Sequence, residues 1–222
     1  MSKLKNAFPF LLLFTTAIVI FFPGLGAAFQ FDDWPNLSGL TWVEHSTSTA
    51  DFWRYVFSKV GNGGSGRPIS YLSFAMQAKY WPENPKPFLI VNISIHLLNA
   101  FLVYFFCLKV SKASPSISKF FEQYQQGNPS NFALMVSLLW MVLPINISTV
   151  LYTVQRMTLL SGFFVLIGIC GYLEGRAKLA NKSGRITGWI IITLSVVIMG
   201  PLAFFSKENG ILLVAYILAI EL

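Results

Sequence analysis

The chain has 222 residues, of which 55% are apolar and 16% aromatic but only 11% charged, and its mean hydropathy is +0.61. A soluble domain carries about 25% charged residues, so the composition excludes an ordinary water-soluble fold and calls for an integral membrane protein. The net charge of +7 does not mark a nucleic-acid binder, because the sixteen Lys and Arg are scattered through connectors between apolar runs. Both cysteines, Cys107 and Cys170, lie in apolar stretches, which excludes a disulfide-stapled domain and a Cys-based zinc site.

The first element lies between Asn6 and Gln30, a stretch without charge that follows Lys3 and Lys5. It reads as a membrane helix with a cytoplasmic N-terminus. A cleavable signal peptide is the rival reading, with Gly26-Ala27-Ala28 as the small-residue cleavage run, but further spans follow it. Later apolar runs cover 88–110, 132–150, 158–172, 186–205 and 211–222. The last has only twelve residues where crossing needs about 20, which predicts a sixth span cut short. The expectation is therefore the N-terminal part of a longer polytopic protein, or a truncated reading frame.

Basic residues orient these spans. Lys3, Lys5, Lys109, Lys112, Lys119, Arg176, Lys178, Lys182 and Arg185 fall on one side, whereas the short loops of the other side hold only Arg156 and Lys207. Nine against two is a positive-inside bias. The 65-residue segment 23–87 is long enough to be exempt from the rule and is placed outside. The predicted fold class is all-α: a polytopic transmembrane helix bundle of about six spans with a long outer first loop bearing short amphipathic helices.

Within that loop, Ser48-Thr49-Ala50-Asp51 fits a capping box, and Trp53, Val56, Phe57 and Val60 recur at helical spacing. This predicts an amphipathic helix on the membrane surface. Residues 61–66, Gly-Asn-Gly-Gly-Ser-Gly, suit a hinge, a close backbone approach to a ligand, or a plain flexible linker. Arg67-Pro68 opens a second helix with Ile69, Leu72 and Met76 on one face, and Trp81-Pro82-Glu83-Asn84-Pro85-Lys86-Pro87 leads into the next span.

Chemistry-bearing residues concentrate at the outer side. Asp32-Asp33, inside Phe29-Gln30-Phe31-Asp32-Asp33-Trp34-Pro35-Asn36, places two carboxylates beside aromatic rings near the membrane face. Pro35 disfavours the helical region for Trp34, so the pair is expected to be extended with its carboxylates on opposite faces. Asn92, His96 and Asn99 form a polar stripe on the second span, of the kind that usually glues helices together, with His96 also a candidate proton carrier or ligand. Gln155-Arg156 and Lys207-Glu208-Asn209 lie in the two short outer turns. A guanidinium and an ammonium there suit either a lipid-linked phosphate or snorkelling to headgroups. The sequence has no P-loop, dinucleotide fingerprint, HExxH or Ser-His-Asp pattern.

Five blocks follow one another over nearly the whole chain: Phe31-Asp32-Asp33-Trp34; residues 66–74, Gly-Arg-Pro-Ile-Ser-Tyr-Leu-Ser-Phe; 91–100, Val-Asn-Ile-Ser-Ile-His-Leu-Leu-Asn-Ala; 152–160, Tyr-Thr-Val-Gln-Arg-Met-Thr-Leu-Leu; and Ser206-Lys207-Glu208-Asn209-Gly210. In this order and spacing they resemble the C-type, membrane-embedded glycosyltransferases that use polyprenyl-phosphate-linked sugars, in particular the branch of the transmembrane and tetratricopeptide-repeat O-mannosyltransferases and their bacterial relatives. Relatives often carry His-Pro before the 152 block with an acidic residue a few places on, where this chain has Leu143-Pro144 and Ser148. The resemblance also implies about twice as many spans and often a C-terminal repeat domain.

The resemblance implies that residues 1–222 belong to an inverting glycosyltransferase domain of a multi-pass protein, most readily of a bacterial inner membrane. Its partners would be the lipid-linked donor, membrane lipid and a protein or glycolipid acceptor, without nucleic acid. It makes a first-loop carboxylate the base, for which Asp33 is chosen over Asp32 because it adjoins the Trp-Pro-Asn turn. Asn36 would orient acceptor or carboxylate. Arg67, Arg156 and Lys207 would converge on the lipid phosphate, with Gln155, Glu208 and His96 also at the substrate. No cofactor is required, although a divalent cation is left open. The competing readings are a transporter or lipid flippase lined by the polar stripe, and a non-catalytic membrane scaffold. Nearly every charge lies at or beyond a span end, which favours chemistry at the surface over a charged path through the membrane.

Overall fold

The computed structural model describes residues 2–46, 48–58, 66–113, 119, 128–180 and 182–222, and every regular element among them is helical. Helix α1 (Ser2–Phe21) continues into a 3-10 turn, Phe22–Gly26. Four short helices follow: α2 (Asp33–Leu37), α3 (Leu40–His45), α4 (Thr49–Val56) and α5 (Pro68–Ala75). The remaining bundle comprises α6 (Lys86–Ala113), α7 (Pro129–Val142), α8 (Ile145–Leu151), α9 (Arg156–Leu179), α10 (Arg185–Val197), α11 (Met199–Ser206) and α12 (Leu212–Glu221).

Four segments are long and apolar enough to cross a bilayer: Ala7–Gly26, Lys86–Ala113, Thr153–Leu179 and Lys182–Ser206. The pair α7 and α8 makes a fifth if its two halves are one span. The chain is thus an all-helical membrane protein with four or five candidate crossings among the described residues, where the sequence predicts about six. The last apolar run forms a helix of 10 residues, half of the roughly 20 that crossing takes.

The third apolar run is not one straight helix. Pro144 drives Leu143 into an extended conformation (φ −54°, ψ 129°), and α8 leaves α7 at 68°. A break inside an apolar layer frees helix-end carbonyls where no water can reach them. The α6 stripe supplies the missing donors. His96, 1% exposed, donates Nε2–H to the Met141 carbonyl (3.0 Å), and Asn92 donates its amide to the carbonyls of Val150, Tyr152 and Thr153 (3.2–3.3 Å). Asn99 does the same for Leu159 (3.0 Å). The stripe therefore acts as interhelical glue, with His96 wedged between Trp140 and Phe21.

The first-loop helices fold onto the Lys86 end of α6 around Phe29, Leu37, Tyr71, Phe74, Trp81 and Phe88, which we term the loop end of the bundle. Ser48 caps α4 as expected, accepting from the Ala50 N–H (3.2 Å), but the reciprocal half of the capping box runs through Ser46, whose hydroxyl donates to Asp51 (2.6 Å). Of the predicted apolar face of α4, Val56 enters the core beside Tyr55, while Trp53 and Phe57 stack on each other at the surface and Val60 lies outside the described residues. The face of α5 shifts likewise. Ser70, Tyr71, Phe74 and Ala75 are buried and Met76 is 75% exposed.

At the opposite end, Lys109 pairs with Glu174 (2.6 Å) and Arg176 with Glu221 (2.9 Å), joining α6 to α9 and α9 to α12. Near that end α9 meets α10 glycine to glycine: a Cβ on Gly175 would strike the Gly188 carbonyl, and one on Gly188 the Gly175 carbonyl. The spacings Gly171 to Gly175 and Gly184 to Gly188 carry this signal in the sequence as two small-xxx-small pairs. Gly188→Leu should therefore cost about 1–3 kcal/mol through forced separation of the helices. Gly26→Leu, at a position with open space around it, should not. Thermal unfolding of the purified variants in detergent checks the contrast.

Candidate functional site

The two aspartates separate as expected, but by a different geometry. Asp32 and Asp33 are not extended; Asp32 is the N-cap of α2 (φ −70°, ψ −12°) and Asp33 its first residue. Pro35 sits in the first turn, where a missing N–H leaves no helical bond unmade, so the local preference against a helix yields. A step of about 100° along the helix then sends the two side chains apart. Asp33 is fully buried, and Asp32 is exposed.

Asp33 works as a tie. Its Oδ2 accepts from the Gln30 N–H (2.8 Å) and its Oδ1 from the Val154 N–H (2.7 Å), binding the first loop to the 3-10 turn Thr153–Gln155. Burial holds its carboxyl above the usual aspartate value, opposed by these backbone donors and reinforced by Asp32. Asp32 is placed by its backbone: its N–H donates to the Tyr152 hydroxyl (2.7 Å), and its carbonyl accepts from the Asn36 amide (2.7 Å). Asn36 is itself fixed, its Oδ1 accepting from Tyr71 (3.0 Å) and its carbonyl from Tyr55 (3.3 Å). The accessible carboxylate therefore projects from a rigid frame.

Arg156 does not lie at an exposed interface. It is fully buried, with Nε donating to Asn92 Oδ1 (2.9 Å), Nη1 to the Ser73 carbonyl (3.1 Å) and Nη2 to the Phe88 carbonyl (3.0 Å). The rings of Phe74 and Phe88 flank the guanidinium at 4.7 and 5.4 Å. A turn position in the sequence becomes an interior one because the first loop folds over it. Arg156, expected at a lipid phosphate, thus has its planar group enclosed by protein acceptors.

Arg67 and Lys207 do converge. Arg67 forms a two-pronged pair with Glu208 (2.9 Å from both Nε and Nη2), and Lys207 Nζ donates to Thr158 Oγ1 (2.7 Å), whose hydroxyl donates to Gln155 Oε1 (2.7 Å). All of these side chains are partly exposed. Burial and the nearby Arg67 hold the Lys207 ammonium below the ordinary lysine value, with Glu208 opposing. Ser70 ties α5 to α11 by donating to the Ser206 carbonyl (2.8 Å). The two non-glycine residues with positive φ among those described, Phe31 (21°) and Arg67 (51°), both flank this cluster, and such strained backbone gathers where geometry is held for function.

Asp32 and Asn36 form one polar group at the loop end, and Arg67, Gln155, Lys207 and Glu208 a second; both are joined to residues 152–160, with Asp33 and Arg156 as buried anchors. His96 lies outside both, at the bend of α7 and α8. Tyr152, Thr158, Ser70 and Ser206 belong to the cluster although sequence reasoning assigned them no role; their positions inside the five blocks are the only signal. No group of three or more His, Cys, Asp or Glu able to hold a metal ion occurs among the described residues.

Fold and site thus define an all-helical membrane protein with a polar cluster built at one end of its bundle. The chain is similar to the mouse (Mus musculus) protein O-mannosyl-transferase TMTC4, with 26% identity over 197 residues that cover 82% of this chain and 25% of the mouse protein. It is also similar to the Caenorhabditis elegans protein O-mannosyl-transferase F38B6.6, with 24% identity over 216 residues, 95% of this chain and 27% of the worm protein. It therefore spans about a quarter of the length of these relatives. No family model matches the chain, and no solved structure matches it.

The anchoring role of Asp33 has a direct consequence. In Asp33→Asn an amide N–H₂ faces one of the two backbone donors, which should cost about 1–3 kcal/mol. Asp32→Asn should leave thermal stability close to the parent's. Because burial raises the Asp33 pKa, its contribution is greatest below the ordinary aspartate value and declines as pH rises through the raised one. Melting curves across acidic pH should show that decline in the parent and lose it in Asp33→Asn.

Proposed function

We propose that this chain supplies the acceptor-activating part of an inverting glycosyltransferase, which moves a sugar from a polyprenyl-phosphate-linked donor to a hydroxyl of a protein acceptor at the outer face of the membrane. The observation that carries the reading is that all five blocks, separated by up to 175 positions between Phe31 and Ser206, meet in one hydrogen-bonded network at the loop end. Asp33 reaches Val154, Arg156 reaches Ser73 and Asn92, Ser70 reaches Ser206, and Arg67 reaches Glu208. The protein O-mannosyl-transferases to which the chain is similar support glycosyl transfer to protein.

In this reading Asp32, rather than the buried Asp33, takes the proton from the acceptor hydroxyl. The oxygen attacks the anomeric carbon from the face opposite the leaving group, the bond to the lipid phosphate breaks, and inversion results. Arg67 and Lys207 receive the phosphate as its charge develops, Arg67 through the guanidinium hydrogens outside its Glu208 pair and Lys207 as a point charge. Positioning supplies much of the acceleration, which is why the carboxylate is set in a frame of tyrosine and asparagine hydrogen bonds. A transport path along the α6 stripe is less well supported, because Asn92 and Asn99 and the Nε2–H of His96 are engaged with helix carbonyls.

Replacing Asp32 by Asn in the full-length protein should lower transfer by roughly 10²- to 10⁴-fold, the usual contribution of a general base. A mutant of unchanged rate would remove Asp32 from the chemistry. The membrane sidedness has its own check. The loop end lies opposite the Lys109, Arg176 and Lys178 end of the bundle, so after replacement of Cys107 and Cys170 an impermeant thiol reagent should label a cysteine at position 42 in intact cells and miss one at 182. The reverse pattern would overturn the orientation.

A further inference from the structure

Beside the Asp32 frame, the first-loop helices border an open cavity of about 570 Å³ that Asn36 helps to line. Pro35 and Asn36 of α2 form one wall, and Trp42, His45, Arg54 and Tyr55 of α3 and α4 form others. We propose that this cavity binds the uncharged polypeptide segment flanking the acceptor hydroxyl, a proposal that rests on the glycosyltransferase reading and names where that enzyme grips its protein substrate.

Its size falls within the roughly 300–1,000 Å³ that holds a small ligand, enough for a few extended residues but not a folded domain. Its walls suit a peptide backbone, which offers a donor and an acceptor at each residue. Arg54, with its side chain 77% exposed, presents guanidinium donors, and His45 presents an acceptor, because its Nδ1–H is engaged with the Thr41 carbonyl (2.8 Å) and Nε2 is left as the lone-pair nitrogen. Ser38 adds a hydroxyl that can do either. The charges compensate, with Arg54 3.5 Å from Asp51, so the cavity favours neutral side chains over ionised ones. Trp42, 72% exposed, gives a ring face for a proline or aliphatic side chain. Seven of the twelve described lining residues carry Ser, Asn, His, Asp or Arg side chains, which place hydrogen-bonding groups along a mainly apolar wall, the mixture that a peptide with a polar backbone and uncharged side chains requires. The link to the chemistry is Asn36, which lines the cavity and bonds to the Asp32 carbonyl, so a segment seated here lies within about one helical turn of the Asp32 backbone.

The test is direct binding of a fluorescent, uncharged Ser/Thr-containing peptide to the full-length protein in nanodiscs, read by anisotropy and so independent of sugar transfer. Trp42→Ala and Arg54→Ala should each weaken binding about tenfold, the loss expected of aromatic and arginine anchors. Trp189→Ala, an exposed tryptophan on α10, should bind as the parent does. Both pocket residues are exposed, so their truncation should not unfold the protein. Undiminished binding in both pocket variants would overturn the site, whatever Asp32→Asn does to transfer. Full transfer by Asp32→Asn together with the binding losses would sink the catalytic reading and leave the pocket standing. A neutral oligosaccharide that binds with the same losses, while the peptide does not bind, would overturn the peptide assignment in favour of a glycan.

Discussion

A buried guanidinium organises the loop end of this protein. Arg156 has no carboxylate against it among the described residues, and an unpaired interior charge is tolerated only where fixed dipoles replace water. Those dipoles come from three places: the Asn92 side chain on α6, the Ser73 carbonyl on α5 and the Phe88 carbonyl at the start of α6, with two aromatic faces closing the shell. The requirement draws the first loop, the second span and the exit of the broken third span to one point. Once they are there, the Val154 N–H two residues before Arg156 faces Asp33, and the Asp33 tie sets the direction of Asp32. The packing of the loop end and the orientation of the candidate base are consequences of accommodating one charge.

The bent α7–α8 pair is the second half of the same arrangement. Pro144 ends α7, His96 takes the Met141 carbonyl there, and Asn92 gives its amide N–H₂ to the carbonyls at the end of α8 while its Oδ1 receives Arg156. One side chain, Asn92, thereby satisfies carbonyls at the end of α8 and the charge beneath the site. The sequence marks this position only as a polar residue in an apolar helix, and the Leu143-Pro144 pair only as a departure from relatives.

How much was legible depended on whether the signal was local. The long apolar helices, the cap at Ser48 and the entry of α5 at Pro68 follow from composition and spacing, and the structure contains them. The shortness of the last run is legible too, since twelve apolar residues cannot cross. The bend at Pro144 was missed although its signal is local, and the buried faces of α4 and α5 were read only in part, because they are decided by what packs against the segment. Trp53, Val56 and Phe57 share one apolar face by spacing, yet only Val56 joins the core, with Tyr55 beside it, and the two aromatic rings stack outside. The Asp pair inverted for the same reason. Pro35 argued locally for an extended chain, but two backbone N–H groups available to Asp33, one of them 121 positions away, outweighed that preference. Arg156 stood at a predicted membrane interface and became interior only when the first loop closed over it. Arg67, Lys207 and Glu208 were legible as a group because the five blocks were read together.

The central claim is that the loop end is a chemical site and that Asp32 faces it. Its most direct test is an experimental structure of the full-length protein with a polyprenyl-phosphate-linked sugar bound. The account predicts the phosphate beside Arg67 and Lys207, with the anomeric carbon on the side of the Asp32 carboxylate and Asp33 still bonded to Val154. A phosphate seated instead among Lys109, Arg176 and Lys178 at the opposite end of the bundle would contradict it.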